Sequence, residues 1–251
     1  LGYNSIRETD NVASSRYNAL QVAWNRRFAN GLQFGLSYTW SKSMDDGSNQ
    51  RDIIPNTYDA SNLWGPSEFD VRHVLITNFL YELPVFRGRT DLAGKVLGGW
   101  QLSGIFQAQT GTPCSVGKST SYAFNGVIGN DGSMCNIGEF WNYAGGDIKY
   151  TKQMAHNTAS LGTDASYWFN PYDSNGNLLF SQPAAYTFNT QKGIRDLIYV
   201  PGFNNWNMGL FKKFTVKEQM NFQFRAEAYN TFNHPNWSSP GGDPTNKNTF
   251  G

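Results

Sequence analysis

Residues able to carry chemistry are few and widely spaced in this 251-residue chain. The three histidines, His73, His156 and His234, lie far apart and lack the spacing of metal ligands. The segments 45–47 (DDG) and 173–177 (DSNGN) resemble fragments of calcium-binding loops, but ordinary turns explain both better. No G-x-S-x-G elbow, P-loop or G-x-G-x-x-G motif occurs. We therefore predict no enzyme activity, no metal and no other cofactor.

Arg225 and Glu227 form the clearest charged pair, in the segment 220–237 (MNFQFRAEAYNTFNHPNW). Side chains alternate across a strand, so this pair shares a polar face while Phe222 and Phe224 lie on the opposite, apolar face. Two environments suit such a strand: a half-buried antiparallel sheet, or a barrel wall between lipid and a wet lumen. In a barrel, the pair either forms a functional site in the lumen or a solvated charge ladder; both interpretations stay open.

The same alternation recurs in other segments of the chain. The clearest case is 32–43 (LQFGLSYTWSKS), where even positions are mostly apolar and odd positions are small or polar. The turn at 29–31 (ANG) keeps this parity, which predicts a hairpin with the preceding strand. In 71–83 both rows are apolar, so neither face is assigned. The predicted strands are 16–28, 32–43, 71–83, 100–110, 203–214 and 219–232.

Gln107 and Gln109 lie on the polar row of 100–110, as Gln223, Arg225 and Glu227 do in 219–232. If these strands form a barrel wall, both rows face the lumen. The five residues are therefore our candidates for residues that face the lumen.

The composition favours β structure. Aromatic residues make up 16% of the chain, and charged residues also 16%, against about 25% in typical domains. The net charge of +1 gives no electrostatic reason to expect nucleic acid as a partner. Apolar stretches such as 74–81 (VLITNFLY) fall short of the roughly 20 residues that a membrane helix needs, but barrel strands need only about 9–11.

The lengths of the connections decide between the two environments. Long loops at 44–70, 111–202 and 233–251 alternate with shorter connections, among them 84–98, which we interpret as a turn region. Outer-membrane barrels show this asymmetry, with brief periplasmic turns and extended outer loops. Tyr38, Trp40 and Trp100 stand at strand ends, where aromatic girdles are expected, and Lys212 can extend toward headgroups. We predict an all-β fold: an incomplete sector of an antiparallel transmembrane β-barrel, with long extracellular loops.

Aromatic and cysteine residues of the loops are further candidates. The aromatic rings can stack against a sugar or another ligand, or can form the loops' own packing clusters, and both interpretations stay open. Cys114 and Cys135 form a disulfide in an oxidising compartment or remain two free thiols. The aromatic candidates are Trp64, Trp141, Tyr143, Tyr167 and Trp168.

Several segments resemble the C-terminal barrel of TonB-dependent outer-membrane receptors, in particular the Oar-like branch with an N-terminal carboxypeptidase-regulatory-like domain. They are YNALQVAWNRRFANGLQFGLSYTWSKSMDD, DVRHVLITNFLYELP, GGWQLSGIFQAQTGTP, NNWNMGLFKKF and FRAEAYNTFNHPNW. The resemblance implies a 22-stranded barrel with an N-terminal plug, energised through TonB. The five lumen candidates would then contact that plug or a passing substrate. No plug or TonB box is recognisable here, and one further strand is expected after the final segment, 248–251. Six strands are too few to close a barrel.

The expected protein is therefore a fragment of a receptor in the bacterial outer membrane. The chain starts at Leu1 without an initiator Met or a targeting signal, which fits a piece of a longer protein. Expected partners are outer-membrane lipid, the protein's own plug domain, the TonB complex and an unknown small solute or oligosaccharide. The alternatives are a surface adhesion or structural barrel, and a secreted carbohydrate-binding β protein.

Overall fold

Strands with alternating apolar and polar residues form one antiparallel sheet in a computed structural model of the chain. The structure describes residues 11–48, 54, 56, 58–118, 139–150, 168–184, 187, 189–217, 220–241, 244 and 250. Six long strands are β1 (Ser15–Ala29), β2 (Leu32–Asp45), β4 (His73–Glu82), β5 (Trp100–Gln109), β12 (Phe203–Lys217) and β13 (Met220–Ala228). The short strands are β3 (Gly65–Pro66), β6 (Pro113–Cys114), β7 (Gly117–Lys118), β8 (Glu139–Phe140), β9 (Asn142–Tyr143), β10 (Phe180–Ser181) and β11 (Ile198–Tyr199).

The long strands pair in the order β1-β2-β4-β5-β12-β13, with β3 paired to β2. Each long strand therefore lies beside the one before it in the chain, as in an up-and-down meander. Asn30 and Gly31 join β1 to β2 with φ values of 54° and 81°, the positive angles that a two-residue hairpin turn needs. The prediction of an all-β antiparallel fold is confirmed.

The predicted loops contain more structure than the sequence indicated. The 44–70 loop holds β3, and the 111–202 loop holds β6 to β11, which pair as β11-β6, β7-β8 and β10-β9. The last strand ends at Ala228 rather than at 232, because Asn230 and Asn233 take positive φ values of 47° and 50° and turn the chain. We expected short hairpins within 111–202, but pairings of two residues leave no periodic sequence signal that would place them.

The connection between β4 and β5 contains helix α1 (Leu92–Leu97), where we had expected only turns. Asp91 caps its start by accepting a hydrogen bond from the Gly94 amide at 3.0 Å. The Asp before an apolar segment and the Gly98 after it are the sequence signals that could have predicted this helix. Among the described residues no helix is both long and apolar enough to span a membrane.

Lys212 corrects another expectation. Its side chain is buried instead of extending toward headgroups, and its Nζ donates a hydrogen bond to the Gly98 carbonyl that follows α1. Nζ also lies 5.2 Å from the ring centroid of Phe214. The apolar row tolerates this cation because a carbonyl and an aromatic face surround it.

Register assigns the faces that the sequence left open in β4. Residues paired across antiparallel neighbours share a face, and Phe34 pairs with Phe79 while Tyr38 pairs with Leu75. The odd residues of β4 thus extend the apolar face of β2. The apolar face carries Leu20, Val22 and Trp24 of β1, Leu32, Phe34, Leu36 and Tyr38 of β2, Leu75, Phe79 and Tyr81 of β4, Leu102 and Phe106 of β5, Trp206, Met208 and Leu210 of β12, and Phe222 and Phe224 of β13.

Aromatic contacts stabilise this apolar face between neighbouring strands. Phe106 and Trp206 stack with ring centroids 4.4 Å apart, and Trp100 meets Phe224 edge-on at 5.7 Å. The Phe79 ring covers Gly104, where an added Cβ would lie 2.4 Å from a ring carbon. Large aromatic rings thus fill the space that small strand residues leave open.

Buried hydrophobic residues lie in the loops instead of in the sheet. In the described part of the chain, one cluster comprises Val116, Trp141, Phe169, Phe180, Ile198 and Phe250, and a second comprises Leu63, Phe140 and Ile194. Many large apolar side chains of the six long strands are exposed instead, among them Trp24, Trp40 and Phe222. A soluble sandwich buries its apolar face, whereas this sheet leaves much of its apolar face exposed.

Candidate functional site

The polar face of the sheet lies opposite the apolar face defined above, which we call the aromatic face from here on. The polar face holds the charged pair predicted from the sequence. Arg225 Nε donates to Glu227 Oε1 at 2.8 Å, within β13. The Arg225 guanidinium also lies 5.3 Å from the ring centroid of Phe211, its partner on β12. Both charged side chains remain partly open to solvent, so the pair can exchange its partners with water or with a solute.

Three glutamine candidates share this face. Gln223 pairs with Lys213 of β12, and Gln107 pairs with Asn205 on the other side of the same strand. Gln109 pairs with Phe203 two positions further along β5. The register therefore places the five predicted residues on one face, with β12 between the two rows. Gln107 and Gln109 are exposed and offer amide donors and acceptors to the space above the sheet.

The polar face also carries several apolar side chains, which the sequence did not show. Val74, Ile76 and Leu80 of β4, with Ile105 of β5, occupy positions on this face because their register partners are polar or small residues. The polar residues of the face include Gln21 and Asn25 of β1, Gln33 and Ser37 of β2, Asn78 of β4, Gln101, Ser103, Gln107 and Gln109 of β5, Asn205, Asn207 and Lys213 of β12, and Asn221, Gln223, Arg225 and Glu227 of β13.

At the long-loop end, the polar row of β2 continues into a buried ionic network. Arg195, from the connection between β5 and β12, donates through Nη1 to Asp45 Oδ1 at 2.7 Å and to the Asp45 carbonyl at 2.7 Å. Its Nη1 also lies 3.2 Å from the Leu63 carbonyl, and its Nη2 donates to Ser48 Oγ at 2.7 Å. Arg195 is only 6% exposed, so four acceptors satisfy a charge that solvent does not reach.

Asp196 extends this network into the loops. Its Oδ1 accepts a hydrogen bond from Ser115 Oγ at 2.9 Å, and its Oδ2 lies 3.5 Å from Arg195 Nε. Burial raises the pKa of the Asp196 carboxyl to about 7, although Arg195 and the Ser115 hydroxyl act in the opposite direction. This carboxyl therefore changes its charge near neutral pH.

Asp70 forms a second junction between loops and sheet. Its Oδ1 accepts from the Ser43 amide of β2 at 2.7 Å, and its Oδ2 lies 3.1 Å from Arg72 Nη2. The same Nη2 donates to the Tyr199 hydroxyl of β11 at 3.1 Å. These contacts fix parts of the two long loops over one end of the polar face. Sequence reasoning missed both junctions, because their partners are separated by up to 150 positions.

The predicted loop aromatics differ in their surroundings. Trp141 is 7% exposed and belongs to the larger hydrophobic cluster, where Tyr143 and Trp168 also pack. The Tyr143 ring stacks on Phe180 with centroids 5.2 Å apart, and Trp168 Nε1 donates to the Tyr199 carbonyl at 2.8 Å. Trp64 is 41% exposed and can still meet a ligand. Tyr167 lies outside the described residues.

Cys114 is buried and disulfide-bonded. Cys135 lies outside the described residues, so the predicted pairing of these two cysteines stays a prediction. In the described part of the chain, no group of three His, Cys, Asp or Glu side chains is arranged to hold a metal ion.

Comparison with known proteins agrees with a sheet that has one apolar face and one polar face. A family model described as an outer membrane beta barrel domain matches residues 1–251. No curated protein and no solved structure matches the chain. The aromatic face suits lipid, and the alternating strands joined in sequence order suit a barrel wall. The chain therefore belongs to the outer membrane beta barrel domain family and resides in the bacterial outer membrane.

Proposed function

We propose that this chain forms part of the barrel of a TonB-dependent receptor, which captures a scarce solute at its surface loops and imports it through a plugged lumen. The observation that carries the proposal is the polar face with Arg225 and Glu227, which lies opposite an apolar face rich in aromatic residues. A transporter needs a polar, water-exposed lumen wall of this kind, whereas a barrel whose interior is filled by its own side chains does not.

Exposed polar side chains suit the wall of a transport channel, because they can exchange contacts with water for contacts with a plug or a solute. The Arg225–Glu227 pair is open to solvent, so replacing it with contacts to a plug or solute costs little. Gln107 and Gln109 add neutral donors and acceptors along the same wall. The proposal assigns no catalytic step and no cofactor to the chain; its partners are lipid, a plug domain, the TonB complex and a small solute or oligosaccharide.

We assign the capture of the solute by the surface loops to Trp64. Its ring is the most exposed of the described loop aromatics that we singled out, whereas Trp141 packs inside the loop cluster. An exposed indole ring can stack on the face of a sugar or another apolar surface of a solute. The buried networks around Arg195 and Asp70 hold the adjoining loop segments in place for such a contact.

An uptake experiment tests the proposal. Resting cells that carry the full-length gene, and cells that lack it, receive a mixture of oligosaccharides and peptides, and mass spectrometry follows the loss of each solute from the medium. We expect one class of solute to remain with the deletion strain, and also with wild-type cells treated with a protonophore. Equal depletion by both strains would contradict the proposal.

A surface adhesion or structural role is the second candidate. The hydrophobic clusters within the loops favour it, because a loop unit with its own packed core can serve as a fixed contact surface. Loss of cell attachment in the deletion strain, with solute depletion unchanged, would support this second candidate. The secreted carbohydrate-binding alternative does not fit an outer-membrane location.

A further inference from the structure

The connection between β4 and β5, which we call the rim segment (residues 83–99), has several apolar side chains exposed to solvent. It includes α1, in which Leu92 is 80% exposed and Val96 is 54% exposed. It lies at the same end of the sheet as the Asn30-Gly31 turn, because the strands alternate in direction. The exposed apolar side chains of the rim segment are Val85, Phe86, Leu92, Val96 and Leu97.

Two contacts hold the rim segment beside the aromatic face rather than the polar face. Trp100, the first residue of β5 and a member of the aromatic face, donates from Nε1 to the Val96 carbonyl at 3.1 Å. Lys212, also on this face, donates from Nζ to the Gly98 carbonyl. Both contacts lie at the C-terminal end of α1. The C-terminal end of α1 therefore lies next to Trp100, whose ring contacts Phe224 of the lipid-facing surface.

The charges of the rim segment complement an anionic surface. Arg87, Arg89 and Lys95 are exposed, and Asp91 is the acidic residue of the same stretch. Asp91 is already engaged by Arg89 and by the Gly94 amide. Basic side chains next to exposed Leu and Val are the pattern of segments that lie in the boundary between lipid headgroups and acyl chains.

We propose that the rim segment inserts into the headgroup boundary of the phospholipid leaflet on the short-turn side of the membrane. Short turns of outer-membrane barrels face the periplasm, so this leaflet is the periplasmic one. Leu92 and Val96 enter the acyl boundary while Arg87 and Lys95 meet the phosphates. The contacts made by Trp100 and Lys212 fix the depth at which the wall sits in the membrane. This inference rests on the lipid-facing role of the aromatic face and not on transport.

Site-specific fluorescence tests the proposal in the full-length protein, reconstituted in vesicles of phosphatidylethanolamine and phosphatidylglycerol. A nitrobenzoxadiazole label is attached to Val96→Cys, and separately to Leu92→Cys in case one variant fails to fold. Val22→Cys on the aromatic face is the lipid control, and Tyr58→Cys, whose native side chain is 93% exposed in a long loop, is the water control. Wild-type protein taken through the same labelling gives the background, because Cys114 is disulfide-bonded.

The expected result is strong quenching of the labels at 92 and 96 by spin-labelled lipid with a shallow nitroxide, with iodide quenching several-fold weaker than at position 58. Iodide quenching equal to that at position 58 would overturn the proposal. Shielding from both iodide and lipid nitroxide would also overturn it, since a protein would then cover the rim segment.

Discussion

Arg195 binds Asp45 across 150 positions of sequence, with Nη1 and Oδ1 separated by 2.7 Å and both side chains buried. Asp45 ends the polar row of β2, whereas Arg195 belongs to the long connection between β5 and β12. This ion pair therefore joins the loops to the wall of the barrel. Because the pair lies away from solvent, the loss of Asp45 leaves Arg195 with the more distant Asp196 carboxyl at 3.5 Å, and the loss of Arg195 leaves buried acceptors unpaired.

We expect Asp45→Ala to destabilise the docked loops by about 3–5 kcal/mol, since Arg195 would keep its charge in a buried site. Hydrogen exchange of the amides in 194–200 measures this opening directly. Arg195→Ala together with Asp45→Ala should cost less than the sum of the two single changes, because each removes the same interaction. Arg89→Ala, which removes one member of an exposed pair, is the control and should leave this exchange unchanged. Additive costs of the single changes would show that the pair does not act as a unit.

The stability of the docked loops should depend on pH through Asp196. Burial raises its pKa to about 7 in the folded loop, whereas an unfolded Asp titrates near pH 4. The folded loop thus holds a proton that the unfolded chain has released between about pH 4 and 7. The resulting stabilisation is complete below about pH 4 and is lost as the pH rises through about 7. We expect the free energy of loop opening to fall by at most about 1.4 kcal/mol per pH unit in this window.

Asp196→Asn isolates this contribution from those of other groups. The amide keeps an acceptor for Ser115 Oγ but does not titrate, so the pH dependence should flatten. Urea titration followed by tryptophan fluorescence at a series of pH values gives the comparison. An equally steep decline in the variant would show that Asp196 is not the titrating group.

Long strands were predictable because their alternation is nearly strict. In β2 the even positions from Leu32 to Tyr38 are apolar and the odd positions are small or polar, and the observed strand runs from Leu32 to Asp45. The Asn30-Gly31 turn pairs Ala29 with Leu32, and a bulge between Arg26 and Ala29 shifts the register by one residue, so that Trp24 pairs with Leu36. Local alternation was therefore sufficient to predict the six long strands and the pairing of the first two.

Features that depend on distant partners were not predictable. Both rows of β4 are apolar, and only the pairing of Phe79 with Phe34 assigns its faces. The buried positions of Arg195 and Asp196 depend on Asp45 and Ser115, which no periodicity connects to them. Long-range ion pairs of this kind leave no signal in a single sequence. The burial of Lys212 was not predicted for the same reason, since its acceptor, the Gly98 carbonyl, directly follows a helix that was not predicted.

Gly104 tests the packing of the aromatic face. A Cβ at this position would lie 2.4 Å from the Phe79 ring, so Gly104→Ala must displace that ring. We expect a loss of about 1–3 kcal/mol in the free energy of unfolding. Adding Phe79→Leu should recover part of the loss, because the smaller side chain leaves room for the new methyl group. No recovery in the double variant would show that the backbone, and not the ring, resists the change.

The central claim is that the aromatic face meets lipid and the polar face meets the lumen. Leu36 and Ser37 are adjacent in β2 and lie on opposite faces, paired with Thr77 and Ile76. The most direct measurement compares the free energies of unfolding of Leu36→Arg and Ser37→Arg in the full-length protein, reconstituted in bilayers. Leu36→Arg should cost about 2–4 kcal/mol if it lies near the midplane, and Ser37→Arg far less. Equal costs for the two variants would contradict the assignment of the faces.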